Sequence, residues 1–380
     1  ALDAHPDIEV RLFNPMASRS GGLSKAAEFG TNFGRLNHRM HNKSWIADNR
    51  IALVGGRNLG DEYFDADDGI NFVDLDLLMA GPVVTQVSSN FDRFWNSPSN
   101  YPIAQLAPEA TTDAALAQLR GALDQAAIEL RSSPYAQILR DDVNVQDLLD
   151  GDTRLYWSKQ WKFVSDAPMK ATLPLADRSE VLKVLVPAMR GAGRELRLIS
   201  PYFVPGEMGT ELLVEGAKSS RNVLILTNSL AANDVAAVHG GYMEYRPALL
   251  KGGVQLWELK PTGNAPSKFS LGGSSGSSLH TKAMIVDADT VFVGSYNLDP
   301  RSTSLNSEQG VLVSHPVLAE QLTRIFERQI SPQRAWKVSV DDKGTVWTDG
   351  TQIFRKEPDA PTSRRFMAWL MKVLPVESQL

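Results

Sequence analysis

The sequence predicts an α/β protein made of two duplicated domains, each a mixed sheet flanked by helices, meeting in one site at a pseudo-twofold interface. Three observations predict it. Two distant stretches match position by position at a constant spacing. Strand-like and helix-like segments alternate in both halves, the pattern of α/β sheets. The 380 residues are too many for one small core, so about two domains are expected.

The match runs between RMHNKSWIADNRIALVGGRN (Arg39–Asn58) and LHTKAMIVDADTVFVGSYN (Leu279–Asn297). His41 meets His280, Lys43 meets Lys282, Asp48 meets Asp287, Gly55 meets Gly294, Gly56 meets Ser295 and Asn58 meets Asn297, all at an offset of 239. Downstream, AGPVV around Pro82 resembles SHPVL around Pro316 at an offset of 234, which places five extra residues of the first copy within YFDADDG. At that second offset Asp74 falls on Glu308. Upstream, Ile8–Pro15 resembles Val254–Pro261. A repeat of this length is a duplicated domain rather than a solenoid.

The remaining elements follow in order. Before Val254 the sequence reads as a strand from Leu196, a helix over Glu211–Ala217, a strand at VLILTN and a helix over Asp234–Leu250. The first copy has seven residues before Ile8, so its opening strands are expected to be missing from this chain. Thr85–Trp95 and Thr112–Arg131 read as helices from their apolar spacing. Leu155–Val164 reads as a strand, Ser165–Asp177 as a linker, and the Gly/Ser-rich Gly263–Ser278 as a loop beside the second motif. AWKVSVDDKGTVWTDG reads as a hairpin turning at Asp342–Gly344. The expected boundaries are 1–165 for the first domain, 166–360 for the second, and 361–380 for a C-terminal tail.

Composition narrows the function. With 43% hydrophobic and 22% charged residues the chain is an ordinary globular protein. A net charge of −5 is not that of a protein basic all over, so no nucleic acid partner is expected. The absence of cysteine removes disulfides, thiolate catalysis and Cys-based metal sites. No apolar run reaches the roughly 18 residues of a membrane span.

The histidine–lysine pairs carry the chemistry. On a strand, residues i and i+2 share a face, so His41 projects with Lys43 and His280 with Lys282. Two such pairs meeting across a pseudo-twofold axis would collect two imidazoles and two ammoniums. Lysine is a poor metal ligand at neutral pH, so neither a metal nor another cofactor is expected. The set suits an anion with spread charge, with lysines as point charges to phosphate oxygens. Asn58 and Asn297 can donate to it, and Ser295 joins them as a candidate substrate-binding residue. Two histidines can divide a displacement at phosphorus: one, neutral, attacks to form a phosphohistidine, and the other, protonated, serves the leaving alcohol. Each needs an acceptor on its second nitrogen, and Asp74 and Glu308 are placed to serve. Asp48 and Asp287 sit where each hairpin turns, and catalytic and turn-forming roles are both open for them.

Two copies of H-x-K-x4-D-x6-G-[GS]-x-N resemble the signature of the phospholipase D superfamily. Within it the chain is most similar to bacterial cardiolipin synthases of the C type, on RMHNKSWIADNRIALVGGRNLGDEYF, SPYFVP, LTNSLAANDVAAVHGGY and GSYNLDPRSTSLNSE. The resemblance covers nearly the whole chain and implies phospholipase D-like domains. It implies a phosphatidyltransferase that moves a phosphatidyl group from a donor phospholipid to phosphatidylglycerol, with His41 as the nucleophile. It implies His239 and Tyr242 near the pocket mouth and the acceptor lipid. It also implies peripheral contact with a bacterial inner membrane, at the cytoplasmic face. Hydrolysis by the same pocket, a nuclease of the same superfamily and a non-catalytic lipid-binding protein are the alternatives. His5, His38 and His315 have no partner copy and read as structural or exposed. In RRFMAWLMKVLP, Phe366, Trp369, Leu370 and Val373 follow helical apolar spacing beside Arg364, Arg365 and Lys372. Such a helix suits an anionic membrane surface or packing on the protein's own core.

Overall fold

The computed structural model describes residues 1–16, 33–64, 66, 71–131, 136, 155–261 and 278–374. The proposed five-residue insertion lies mostly outside the described residues, as does nearly all of the Gly/Ser-rich loop. The chain divides into two compact units, Ala1–Arg39 with Asn90–Trp157, and Met40–Ser89 with Ser158–Leu380. The first motif therefore belongs to the same unit as the second, rather than to a unit ending near residue 165.

In the smaller unit, strand β1 (Arg11–Phe13) pairs antiparallel with Asn100–Pro102. The ring of His38 meets Phe13 edge-on at 5.7 Å, so this histidine packs as expected. The helix Asp113–Arg131 follows the sequence reading closely.

The larger unit holds β2 (Ser44–Ala47), β3 (Ile51–Gly55), β4 (Phe72–Val73), β5 (Asp76–Ala80), β6 (Trp161–Ser165), β7 (Glu195–Ile199), β8 (Asn222–Asn228), β9 (Gln255–Leu259), β10 (Ser278–Leu279), β11 (Ala283–Val286), β12 (Thr290–Gly294), β13 (Gln309–Ser314), β14 (Ala335–Asp341), β15 (Gly344–Thr348) and β16 (Ile353–Phe354). Ten of these form one sheet in the order β16-β15-β14-β9-β8-β7-β11-β12-β13-β6. Its middle, β9, β8 and β7, is parallel, and the flanking pairs are antiparallel. VLIL of β8, AMIV of β11 and VFV of β12 are apolar along their length because helices cover both faces. Glu180–Gly191 is one of those helices: Ser179 caps it by accepting from the Leu182 N–H at 3.1 Å, and Val181, Val184, Leu185 and Met189 turn inward at helical spacing.

A separate three-stranded sheet, β2-β3-β5, carries the first motif. Its hairpin and that of β11-β12 turn alike. Asp48 and Asn49 have φ of 51° and 54°, and Asp287 and Ala288 have φ of 53° and 59°. Ala52, Val54, Val83, Val84 and Val87 pack around Val311, so this sheet shares a core with β13.

Ser165–Asp177, expected as a linker, is not one. Asp166 and Lys170 in it are fully buried and form an ion pair at 2.6 Å. The C-terminal helix Thr362–Val373 packs against the helix Ala236–Lys251. The close approach requires Gly240, because a Cβ there would lie 2.5 Å from the Ala368 carbonyl oxygen. Among the described residues, no helix is long and apolar enough to cross a membrane.

Candidate active site

The histidine–lysine pairs do not lie on strands, as the sequence reading had them. Each occupies the extended segment just before its hairpin, ahead of β2 and β11. The reason is a different pairing. Met40 bridges Ser307 in parallel, and the His41 N–H donates to the Ser307 carbonyl at 2.9 Å. Likewise β10 pairs in parallel with β4, setting Leu279 beside Val73. In each case the next residue pair in that register is a histidine and a carboxylate.

The result is crossed between the two motifs. His41 Nδ1 lies 2.8 Å from Glu308 Oε2, and His280 Nδ1 lies 2.6 Å from Asp74 Oδ2. Each carboxylate thus fixes the ring orientation of the other motif's histidine and holds its Nδ1, as a triad acceptor does. The lysines repeat one another too. Lys43 Nζ donates to the His41 carbonyl at 2.8 Å, and Lys282 Nζ to the His280 carbonyl.

Glu308 is the most enclosed group. It is fully buried, and both Ser295 and Ser302 donate hydroxyl hydrogen bonds to it. Its backbone N–H donates to Asp166 at 3.1 Å, and Lys170 donates both to Asp166 and to the Ser302 carbonyl. Burial pushes the Glu308 carboxyl up, while the charges of Lys43 and Lys170 pull it back. Burial, then the charges of Lys282 and Lys43, push His280 down to about 3. Lys43 thus acts on Glu308 and on His280 alike, so both motifs share one field. Burial lowers Lys282 to about 8 against the pull of Asp74, Glu308, Asp234 and Asp299.

The motif's small residues follow from this packing. A Cβ on Gly56 would sit 2.5 Å from Asp74 Oδ1. The equivalent Ser295 instead uses its side chain to hold Glu308. Asn58 donates to the Tyr63 hydroxyl at 2.6 Å, and the Tyr63 and Phe72 rings lie 5.1 and 5.3 Å from His280. Asn297 is buried, its N–H donating to Ser302 Oγ at 3.3 Å.

Other candidates lie elsewhere. Asp48 and Asp287 are at the far ends of their hairpins, not beside the histidines. Asp287 accepts the backbone N–H groups of Gly193, Arg194 and Glu195 and so ties down a loop, while Asp48 is exposed. His239 and Tyr242 are buried in the core, not at a pocket mouth. The helix Ala236–Lys251 turns them inward with Arg246, whose guanidinium bridges Glu258 at 3.0 Å and Glu357 at 2.8 Å. His239, Glu258 and Glu357 each bring a ligand atom within 4.8 Å of the others. Arg246 already engages both carboxylates, and a divalent cation there would replace one excess buried negative charge by one excess positive charge. Asp166 and Lys170 escaped the sequence reading, although two opposite charges four apart among apolar residues were a signal. Tyr202 and Asp234 lay in quoted motifs without a role.

The family model and the relative of highest identity reported below point to one family. Residues 185–330 match the family model described as "Cardiolipin synthase, PLD-like domain". The chain is 39% identical over 386 residues to cardiolipin synthase C of Escherichia coli (strain K12), covering 99% of the chain and 80% of that protein. It is 30% identical over 388 residues to an uncharacterised protein of Helicobacter pylori, covering 98% and 74%. Among solved structures, phosphatidylserine synthase of Haemophilus influenzae aligns with a TM-score of 0.48 at 15% identity, over 78% of this chain and 62% of that one. With close similarity over nearly its whole length, the chain belongs to the cardiolipin synthase family of the phospholipase D superfamily.

Proposed function

We propose that the pocket transfers a phosphatidyl group from a donor phospholipid to phosphatidylglycerol, forming cardiolipin through a phosphohistidine on His41. The observation that carries this is the crossed pair of histidine–carboxylate contacts, flanked by Lys43 and Lys282. The donor's phosphodiester lies against the two ammoniums. His41 Nε2 attacks phosphorus, and the bond to the leaving alcohol breaks as that oxygen takes a proton from His280. In the empty pocket His280 is neutral at pH 7, because burial and the lysines disfavour its charge. A bound phosphodiester brings a negative charge that offsets the lysines and favours protonation of His280. In the second step the acceptor hydroxyl gives its proton to His280 and its oxygen bonds to phosphorus, while the bond to His41 breaks.

Two-chain lipids stay in bilayers, so the pocket must meet a membrane surface. The helix Thr362–Val373 supports that reading: Phe366, Trp369 and Val373 are exposed along one face. We read the protein as peripheral on the membrane that holds its lipids, at the cytoplasmic face that the resemblance to bacterial cardiolipin synthases implies.

The test is product analysis with the purified full chain on vesicles of mixed phospholipids that include phosphatidylglycerol. Cardiolipin should form, and His41→Ala or His280→Ala should abolish it. His280→Asn, which cannot protonate the leaving group, should accumulate label on His41 from a substrate with a good leaving group. Label on His280 would reverse the two roles, and cleavage of single-stranded DNA without any lipid product would sink the reading.

A further inference from the structure

A carboxylate lies within the electrostatic field of the histidine–lysine site. Asp234 is half-buried and within electrostatic reach of Lys282, Tyr63 and Arg364. Tyr63 in turn stacks edge-on against His280. A negative charge in this place weakens binding of the phosphodiester, so it does not serve the donor's phosphate.

Its geometry is held from two sides. The Tyr202 hydroxyl donates to Asp234, lying 2.7 Å from each carboxylate oxygen. Tyr202 follows β7, and its neighbours tie it to the second motif: Ser200 Oγ donates to the Tyr202 carbonyl and accepts from the Leu298 N–H, and the Val204 N–H donates to the Leu298 carbonyl at 2.7 Å. The Asp234 loop is equally fixed, with Asn233 Oδ1 accepting from the Val235 N–H at 2.9 Å and the Asn233 N–H donating to the Ser229 carbonyl at 2.8 Å. A preorganised carboxylate with lone pairs to spare accepts hydrogen bonds from hydroxyl groups.

We propose that Asp234 and Tyr202 form the acceptor subsite, binding the glycerol hydroxyls of the lipid that receives the phosphatidyl group; this deepens the transfer reading and rests on it. A transferase faces water at far higher concentration than its lipid acceptor. It must therefore hold the acceptor hydroxyl in line with phosphorus, where proximity outweighs dilution. The hydroxyl proton passes to His280, the acceptor oxygen bonds to phosphorus, and the bond to His41 breaks. Asp234 is within electrostatic reach of Arg364, on the C-terminal helix proposed above as the membrane contact.

The experiment uses the full chain and vesicles of mixed phospholipids that include phosphatidylglycerol, measuring cardiolipin (transfer) and phosphatidic acid (hydrolysis) together. In Asp234→Asn the cardiolipin-to-phosphatidic acid ratio should fall about 10- to 100-fold, the scale of a hydrogen bond to a charged group. Tyr202→Phe, which keeps the ring and removes only the hydroxyl, should lower the ratio in the same direction and raise the KM for free glycerol as a soluble acceptor. An unchanged ratio in Tyr202→Phe, or equal loss of both products in both variants, overturns the subsite. Wild-type protein yielding phosphatidic acid but no cardiolipin overturns the transfer reading itself, and the subsite with it.

Discussion

His280 shows how much one side chain's surroundings decide. Folding pushes it from 6.5 down to about 3, so between those pH values the unfolded chain binds the extra proton and stability rises with pH. Lowering the pH from 7 to 4.5 should therefore cost the wild type about 2–3 kcal/mol more than His280→Asn, read from denaturant unfolding at the two pH values. Equal losses would show that the imidazole is solvated. Lys170 is a second such case. Removing one partner of a fully buried pair leaves the other charge uncompensated, so Lys170→Met should destabilise the fold by about 3–5 kcal/mol. The double variant Asp166→Asn with Lys170→Met should recover part of that loss in the same unfolding measurement.

At the scale of elements, the proposed site rests on two short parallel pairings. Strands β10 and β4, and the bridge between Met40 and Ser307, set each histidine beside a carboxylate of the other motif. A register slip of one residue in either would turn the partner away. Gly56 guards one of these contacts, since any Cβ there meets Asp74. Gly56→Ala should displace Asp74, misorient His280 and lower kcat by about 100-fold, the cost of moving a reacting group by about 1 Å. The stability of the variant, followed by thermal unfolding, should change far less than its activity.

At the scale of the whole molecule, the C-terminal helix packs on the protein with one face and leaves an apolar face exposed. One face packs on the helix Ala236–Lys251 and buries Ala368, and Arg365 donates to the Glu357 carbonyl at 2.7 Å. The other face presents Phe366, Trp369 and Val373. Arg365 and Lys372, which pairs with Glu244 at 3.5 Å, are engaged by the protein itself. Apolar contact should therefore outweigh charge in membrane binding. Replacing Phe366, Trp369 and Val373 together by Ser should weaken sedimentation with anionic vesicles at least about tenfold, with activity on a short-chain soluble substrate retained. If vesicle binding persists and soluble activity collapses, the membrane-facing surface lies elsewhere.

The sequence by itself determined the residue types of the site, because a phosphodiester needs cations and imidazoles and these recur at one offset. It also determined most helices and strands of the larger unit, whose apolar periodicity is strong. Only the tertiary structure decided which acid serves which histidine, because that follows from strand register between segments over two hundred residues apart. It alone placed Asp48 and Asp287 at remote turns and sent His239 and Tyr242 into the core, since motif spacing carries no information on which way a helix faces. Asp166 and Lys170 became legible for the same reason: a charge reads as solvated along a chain, and only packing around it shows that it is buried and paired.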